Sequence, residues 1–158
     1  PVAIGQGVTP LFSTSVDPDT RVMVEAVAAP LGHYEWIDRE SQFDAVTALA
    51  GSGPGFVFRF IDALARAGES IGIPAEQSAR LALATVAGST AMARAADVTP
   101  ATLADRVASK GGSTRQGLDV LDDEGALVRL LTATLDAARR RNEEMAETAR
   151  SAAHGSVA

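Results

Sequence analysis

Ala75-Glu76-Gln77-Ser78-Ala79-Arg80-Leu81-Ala82-Leu83-Ala84-Thr85-Val86-Ala87-Gly88-Ser89-Thr90-Ala91-Met92-Ala93-Arg94-Ala95-Ala96 is the stretch whose reading decides the fold. It follows the breaker Gly72-Ile73-Pro74 and reads as one helix. Ala82, Ala84, Ala87, Gly88, Ser89, Ala91 and Ala93 are small enough to let another helix approach closely. A helix with so little side-chain bulk is stabilised mainly by its partners, so it belongs in the centre of a bundle or in an oligomer seam. Composition agrees. The 158 residues are 46% hydrophobic but only 4% aromatic, which predicts an aliphatic, alanine-rich core suited to helix-on-helix packing.

Helical periodicity extends from residue 41 onward. Phe43, Val46, Thr47 and Leu49 share a face, and Gly51-Ser52-Gly53 interrupts it as a sharp corner between helices. Pro54 then restarts a helix at its tolerated first position. Phe56, Val57, Phe60, Ile61, Leu64 and Ala67 predict burial over a wide arc. Downstream, Thr99-Pro100 opens a short helix. The last helix follows Gly125 with Leu127, Leu130, Leu131, Thr134, Leu135 and Ala138 as its apolar stripe. Arg139, Arg140 and Arg141 look basic, but the spacings Asp136–Arg140, Arg139–Glu143 and Arg140–Glu144 predict a self-paired solvated face.

The first 39 residues read differently. Pro1-Val2-Ala3-Ile4-Gly5-Gln6-Gly7-Val8-Thr9-Pro10-Leu11-Phe12 suits an extended strand or loop, and reads as the tail of something larger. Asp17-Pro18-Asp19 is a helix start: an N-cap, a proline at the first helical position and an acid in the first turn. That helix carries Val22, Met23, Ala26 and Val27 and stops near Pro30-Leu31-Gly32. The alternation of His33-Tyr34-Glu35-Trp36-Ile37-Asp38 predicts a short strand. Residues 151–158 are expected to fray.

Several function classes are disfavoured at once. A net charge of −6 gives no general field for nucleic acid. Cysteine is absent, and the two histidines, His33 and His154, are far apart, so no metal site is expected. No apolar run reaches the length of a membrane span and no signal peptide is visible, so the expected protein is cytoplasmic.

Val107-Ala108-Ser109-Lys110-Gly111-Gly112-Ser113-Thr114-Arg115-Gln116-Gly117-Leu118 carries the chemistry of interest. Adjacent glycines leave backbone N–H groups unshielded, and a helical pattern begins directly after them. Amides at a helix start, with the positive end of the dipole, form a receptor for a small anion. The alternative is a plain turn with Ser113 or Thr114 as N-cap.

Three segments carry a family resemblance. Asp44-Ala45-Val46-Thr47-Ala48-Leu49-Ala50-Gly51-Ser52-Gly53-Pro54 resembles the segment joining the two domains of pyrroline-5-carboxylate reductases. Residues 107–114 resemble that family's substrate loop, V-T-S-P-G-G-T-T, and residues 1–9 are similar to its P-A-L-V-G-E-G-M-T. The match runs in order from residue 1 to about residue 147.

The resemblance implies a reductase that delivers a hydride from NADPH or NADH to the imine carbon of 1-pyrroline-5-carboxylate, giving L-proline. It implies a mainly α fold, a helical-bundle dimerisation domain like the C-terminal domain of 6-phosphogluconate dehydrogenase, preceded by a short α/β remnant of a Rossmann domain. The boundaries implied are 1–39 for that remnant, 40–150 for the helical domain, and 151–158 for the tail. A homodimer is implied, assembling further into decamers in many members. By family position, Ser109, Gly111, Gly112, Ser113 and Thr114 line the substrate. Thr114 acts as the catalytic residue by hydrogen bonding the ring nitrogen. Glu40 lies near bound proline, where its charge favours a protonated imine, and Arg106 lies where the chain approaches the cofactor. No strand-linked G-x-G-x-x-G occurs, so the chain by itself is expected to be inactive.

Lys110 departs from the family's proline, Ser113 from threonine, Ala50 from serine, and Gly55-Phe56 from Ala-Tyr. Two other readings are a non-catalytic helical dimerisation module and the substrate domain of a related imine or hydroxyacid reductase. Hydroxyacid types need a catalytic lysine on a helix, whereas Lys110, the only lysine, is predicted in a loop.

Overall fold

The structure, a computed structural model, describes residues 1–155, with side chains to residue 152. The chain divides into two compact units, Pro1–Pro54 with Thr132–Ala158, and Gly55–Leu131.

The first unit opens with a 3-10 turn at Val2–Ile4, then strand β1 (Gly7–Leu11), helix α1 (Pro18–Ala28), a 3-10 turn at Ala29–Leu31 and strand β2 (Gly32–Trp36). β1 and β2 pair in parallel, Gly7 opposite Gly32 and Leu11 opposite Trp36. A parallel pair needs a crossover, which α1 supplies. Asp17 caps α1 as its sequence predicts: one carboxylate oxygen accepts from the N–H groups of Asp19 (3.1 Å) and Thr20 (2.9 Å). Those bonds, with Thr20 foremost, hold its carboxyl below the usual carboxylate range.

Glu25 ties α1 to β2. Its carboxylate accepts from Trp36 Nε1 (2.7 Å), Arg21 Nε (3.0 Å) and the Tyr34 hydroxyl (3.4 Å), while the Arg21 guanidinium lies 4.2 Å from the Trp36 ring centre. Planar stacking of this kind is a preference of arginine over lysine.

After a 3-10 turn at Glu40–Gln42, helix α2 (Phe43–Val46) passes directly into a π-helical turn, Thr47–Gly51. The Ser52 N–H closes that turn on the Thr47 carbonyl at 2.9 Å. Ser52 keeps helical angles, φ −83° and ψ −24°, and helix α3 (Gly53–Ser70) begins at the next residue. The expected sharp corner at residues 51–53 is therefore a π turn. One extra residue is absorbed in a wider hydrogen-bond ring, and Pro54 falls where no helical N–H is required.

The second unit continues α3 into helices α4 (Ala75–Ala95), α5 (Pro100–Val107) and α6 (Ser113–Asp122), and it takes in the start of α7 (Ala126–Gly155). Gly68 and Ser78 bring α3 and α4 together. The Ser78 hydroxyl donates to the Ala65 carbonyl at 2.6 Å, and a Cβ on Gly68 would strike that hydroxyl. Thr99 caps α5, accepting from Thr102 N–H at 3.2 Å.

Burial is where expectation and structure part. Val57, Phe58, Phe60 and Leu64 of α3 are all exposed, as are Leu81, Leu83 and Met92 of α4. The buried apolar residues are the alanines Ala28, Ala48, Ala82 and Ala108. Of the apolar arc predicted for α3, Phe56 and Ile61 are half-buried, whereas Val57, Phe60, Leu64 and Ala67 are left exposed by the described residues.

Helix α7 is helical through Gly155, and residues 156–158 of the expected tail lie outside the described part. Its arginines are paired locally. Arg139 binds Asp136 (2.8 Å) and Glu143, Arg140 binds Asp136, and Arg141 rather than Arg140 takes Glu144 (2.9 Å). Asn142 reaches across the first unit to donate to the Asp44 carbonyl at 3.3 Å.

Candidate functional site

The loop between α5 and α6 is built from its glycines. Ala108, itself buried, ends α5 with its N–H on the Asp105 carbonyl at 3.2 Å. Gly111 turns the chain at φ +75°, a conformation that L side chains rarely adopt. The Gly112 N–H then donates to the Ser109 carbonyl at 2.9 Å. A Cβ at Gly112 would lie 2.6 Å from Ser109 Oγ and 3.2 Å from the Ser109 carbonyl, so a larger residue would have to displace the Ser109 side chain.

Gly112, not Ser113 or Thr114, is the N-cap of α6. Its backbone is extended at ψ 164°, no side chain caps the helix, and its carbonyl accepts the first helical bond from Gln116 at 3.2 Å. Ser113, Thr114 and Arg115 are thus the first three helical residues. Their N–H groups have no acceptor among the described residues, and the Ser113 and Thr114 side chains are exposed. Since the Gly112 amide is already engaged, the donors open to an anion are those of residues 113–115, backed by the helix dipole.

Arg115 and Asp105 clamp this arrangement. The guanidinium Nη2 lies 2.6 Å from Asp105 Oδ1, joining the first turn of α6 to the last turns of α5. That bond, with the carboxylate's charge, raises the Arg115 pKa above its ordinary value. The pair spans ten residues, and its one local signal in the sequence is an opposite-charge pair flanking a Gly-Gly turn. Arg106 and Lys110 are exposed beside it, Lys110 in the loop and not on a helix. Ser109, Gly111, Gly112, Ser113 and Thr114 come together at this one turn, with Arg106 on the adjoining helix. Glu40 lies in the first unit, exposed, at the head of the 3-10 turn before α2, its carbonyl accepting from the Phe43 N–H.

The strand–helix junction in the first unit tests the fit to a dinucleotide. Residues 12–17 contain no glycine, the N-terminus of α1 is filled by the Asp17 carboxylate, and Pro18 removes a donor. A pyrophosphate would meet a negative charge where it needs amides, so this junction is not where a dinucleotide's phosphates would sit. Among the described residues no group of three or more His, Cys, Asp or Glu side chains could hold a metal, and no helix is long and apolar enough to cross a membrane.

Comparison with known proteins places the chain in a family. The family model described as pyrroline-5-carboxylate reductase dimerisation matches residues 40–145. The chain is 43% identical over 125 residues to the pyrroline-5-carboxylate reductase of Aquifex aeolicus, covering 78% of this chain and 47% of that protein. With the Pseudomonas aeruginosa enzyme it shares 34% identity over 148 residues, 93% of this chain and 54% of the relative. A pyrroline-5-carboxylate reductase structure from Coxiella burnetii superposes with a TM-score of 0.84 at 34% identity, covering 90% of this chain and 53% of that one. A pyrroline carboxylate reductase from Plasmodium falciparum, solved with NADP bound, gives 0.75 at 28% identity, covering 92% and 58%. The chain spans about half the length of the curated relatives it matches. On the match across residues 40–145, the chain belongs to the pyrroline-5-carboxylate reductase family.

Proposed function

We propose that this chain supplies the substrate-binding and dimerisation part of a reductase that transfers a hydride from NADPH or NADH to the imine carbon of 1-pyrroline-5-carboxylate, forming L-proline. The observation that carries this reading is the uncapped N-terminus of α6 behind the Gly111 turn. The substrate has one carboxylate, and a cluster of backbone amides at a helix start recognises a carboxylate without a buried cation.

In this reading the amides of Ser113, Thr114 and Arg115 hold the carboxylate. The Thr114 hydroxyl meets the ring nitrogen and orients the C=N bond. Gly111 and Gly112 shape the turn, and Ser109 closes it through its carbonyl. Glu40, by family position, favours the protonated imine, and Arg106 faces the cofactor side. Hydride delivery is the nicotinamide's chemistry; what these residues add is orientation of a small ligand, a large source of rate in such reactions. Residues 1–39 form the end of a Rossmann domain and 40–150 the helical domain, in a cytoplasmic enzyme.

A homodimer, with a decamer as further assembly, is the second part of the proposal. Large apolar side chains stand exposed on the helices, including Phe58 at 65% and Leu130 at 66% exposure. Surfaces of that kind in water are partner surfaces.

Thermal denaturation with added L-proline tests the site. Stabilisation of the wild type that is lost in Thr114→Ala supports it. No stabilisation of a folded, dimeric protein would favour a purely structural dimerisation module.

A further inference from the structure

Lys110 is the only lysine in the chain, and it stands two residues before the N-cap of α6. It is exposed, and no carboxylate among the described residues lies within ion-pairing distance of it. The one acid in the adjoining turn, Asp105, is taken by Arg115 at 2.6 Å. Arg115 is offset by Asp105 and by the charges of Asp119 and Asp122 further along α6, which leaves Lys110 and the neighbouring Arg106 as the exposed cations of this turn, in a chain whose net charge is −6.

For folding alone this placement is unfavourable. A cation beside the positive end of a helix dipole is repelled by it, and Arg106 adds like charge. An exposed cation that the fold leaves without a carboxylate partner is available to an anionic ligand.

We propose that Lys110 is a specificity-determining residue of this site, its ammonium pairing with the substrate carboxylate that the α6 amides hold. The inference rests on the reading under Proposed function. It adds that carboxylate recognition has a charge–charge component on top of the amide contacts. A proline at this position would offer none, so the chain should bind carboxylate ligands with an affinity that depends on ionic strength through one side chain.

The test is calorimetric binding of L-proline and of L-prolinamide, which lacks the carboxylate charge, to wild type, Lys110→Met and Lys110→Arg. At low ionic strength Lys110→Met should bind L-proline about fivefold more weakly, the upper end for a solvent-exposed ion pair. The difference should shrink near 1 M salt, where the Debye length is about 3 Å. Lys110→Arg should keep the wild-type affinity, and prolinamide should bind all three proteins equally. Equal L-proline affinity in wild type and Lys110→Met, or an equal loss for both ligands, would overturn the role of Lys110 alone. Failure of the wild type to bind L-proline at all would overturn the reading of the site and this inference with it.

Discussion

The guanidinium of Arg115 lies 2.6 Å from the carboxylate of Asp105, and this contact joins the start of α6 to the end of α5 across the Gly111-Gly112 turn. The two residues bracket the loop, so their pairing holds the α6 amides in place and engages the Asp105 carboxylate. Arg115→Gln should therefore loosen the turn without unfolding the protein. We expect faster amide exchange in residues 108–112 and L-proline affinity lowered several-fold. Unchanged exchange and affinity would mean that the turn holds its shape without the pair.

The contact between Gly68 and Ser78 gives a prediction about stability. Gly68→Ala gains helix propensity but drives a methyl into the Ser78 hydroxyl, which then loses its bond to the Ala65 carbonyl. The expected net cost is about 1 kcal/mol, the scale of leaving a buried polar group unsatisfied. Ser78→Ala removes the clash, so the Gly68→Ala/Ser78→Ala pair should be more stable than Gly68→Ala alone. Urea denaturation of the four proteins reads this directly; strictly additive effects would refute it.

Asp17 makes the cap of α1 dependent on pH. Its native carboxyl is held below the usual range by bonds from Thr20 and Asp19, whereas in the unfolded chain it titrates normally. The stabilisation is complete above the ordinary carboxylate value. It declines as pH falls below that value and is gone beneath the depressed native one. Asp17→Ala should lower Tm by about 3 °C at pH 7, and the difference should shrink as the pH falls below the ordinary carboxylate range. A constant difference across that range would show that the cap works without its charge.

In the proposed dimer, the exposed residues of the α3 apolar face couple association to folding. Wild-type Tm should rise with protein concentration, as expected when a partner stabilises the folded state. Phe60→Glu, at a position 52% exposed in the single chain, should abolish the dimer in sedimentation and lower Tm sharply. A monomeric wild type with concentration-independent Tm would contradict the proposed dimer.

What could be read in the sequence was whatever depends on neighbours in the chain. Asp17-Pro18 and Thr99-Pro100 mark helix starts because capping and proline geometry are local, and both caps form as expected. The Gly111-Gly112 turn was visible for the same reason. The identity of the α6 cap was not, since Gly112, Ser113 and Thr114 are all acceptable there. The Gly112-to-Ser109 closure, which depends on backbone dihedrals, decides it. The π turn at Thr47–Gly51 hides in the same way, because one extra residue per turn changes hydrogen-bond register and not composition. The clamp between Asp105 and Arg115 joins residues ten apart, beyond any helical spacing rule. The stripe of α3 was legible as apolar, yet a sequence does not say whether its own chain or another covers such a stripe.

The central claim is that the substrate's carboxylate sits on the α6 amides with its ring nitrogen at Thr114, and a crystal structure of the protein with L-proline measures it most directly. The prediction is carboxylate oxygens within about 3 Å of the N–H groups of residues 113–115, and the ring nitrogen within hydrogen-bond distance of Thr114 Oγ1. L-proline bound elsewhere on the protein, or at this turn with its carboxylate directed away from α6, would contradict the account.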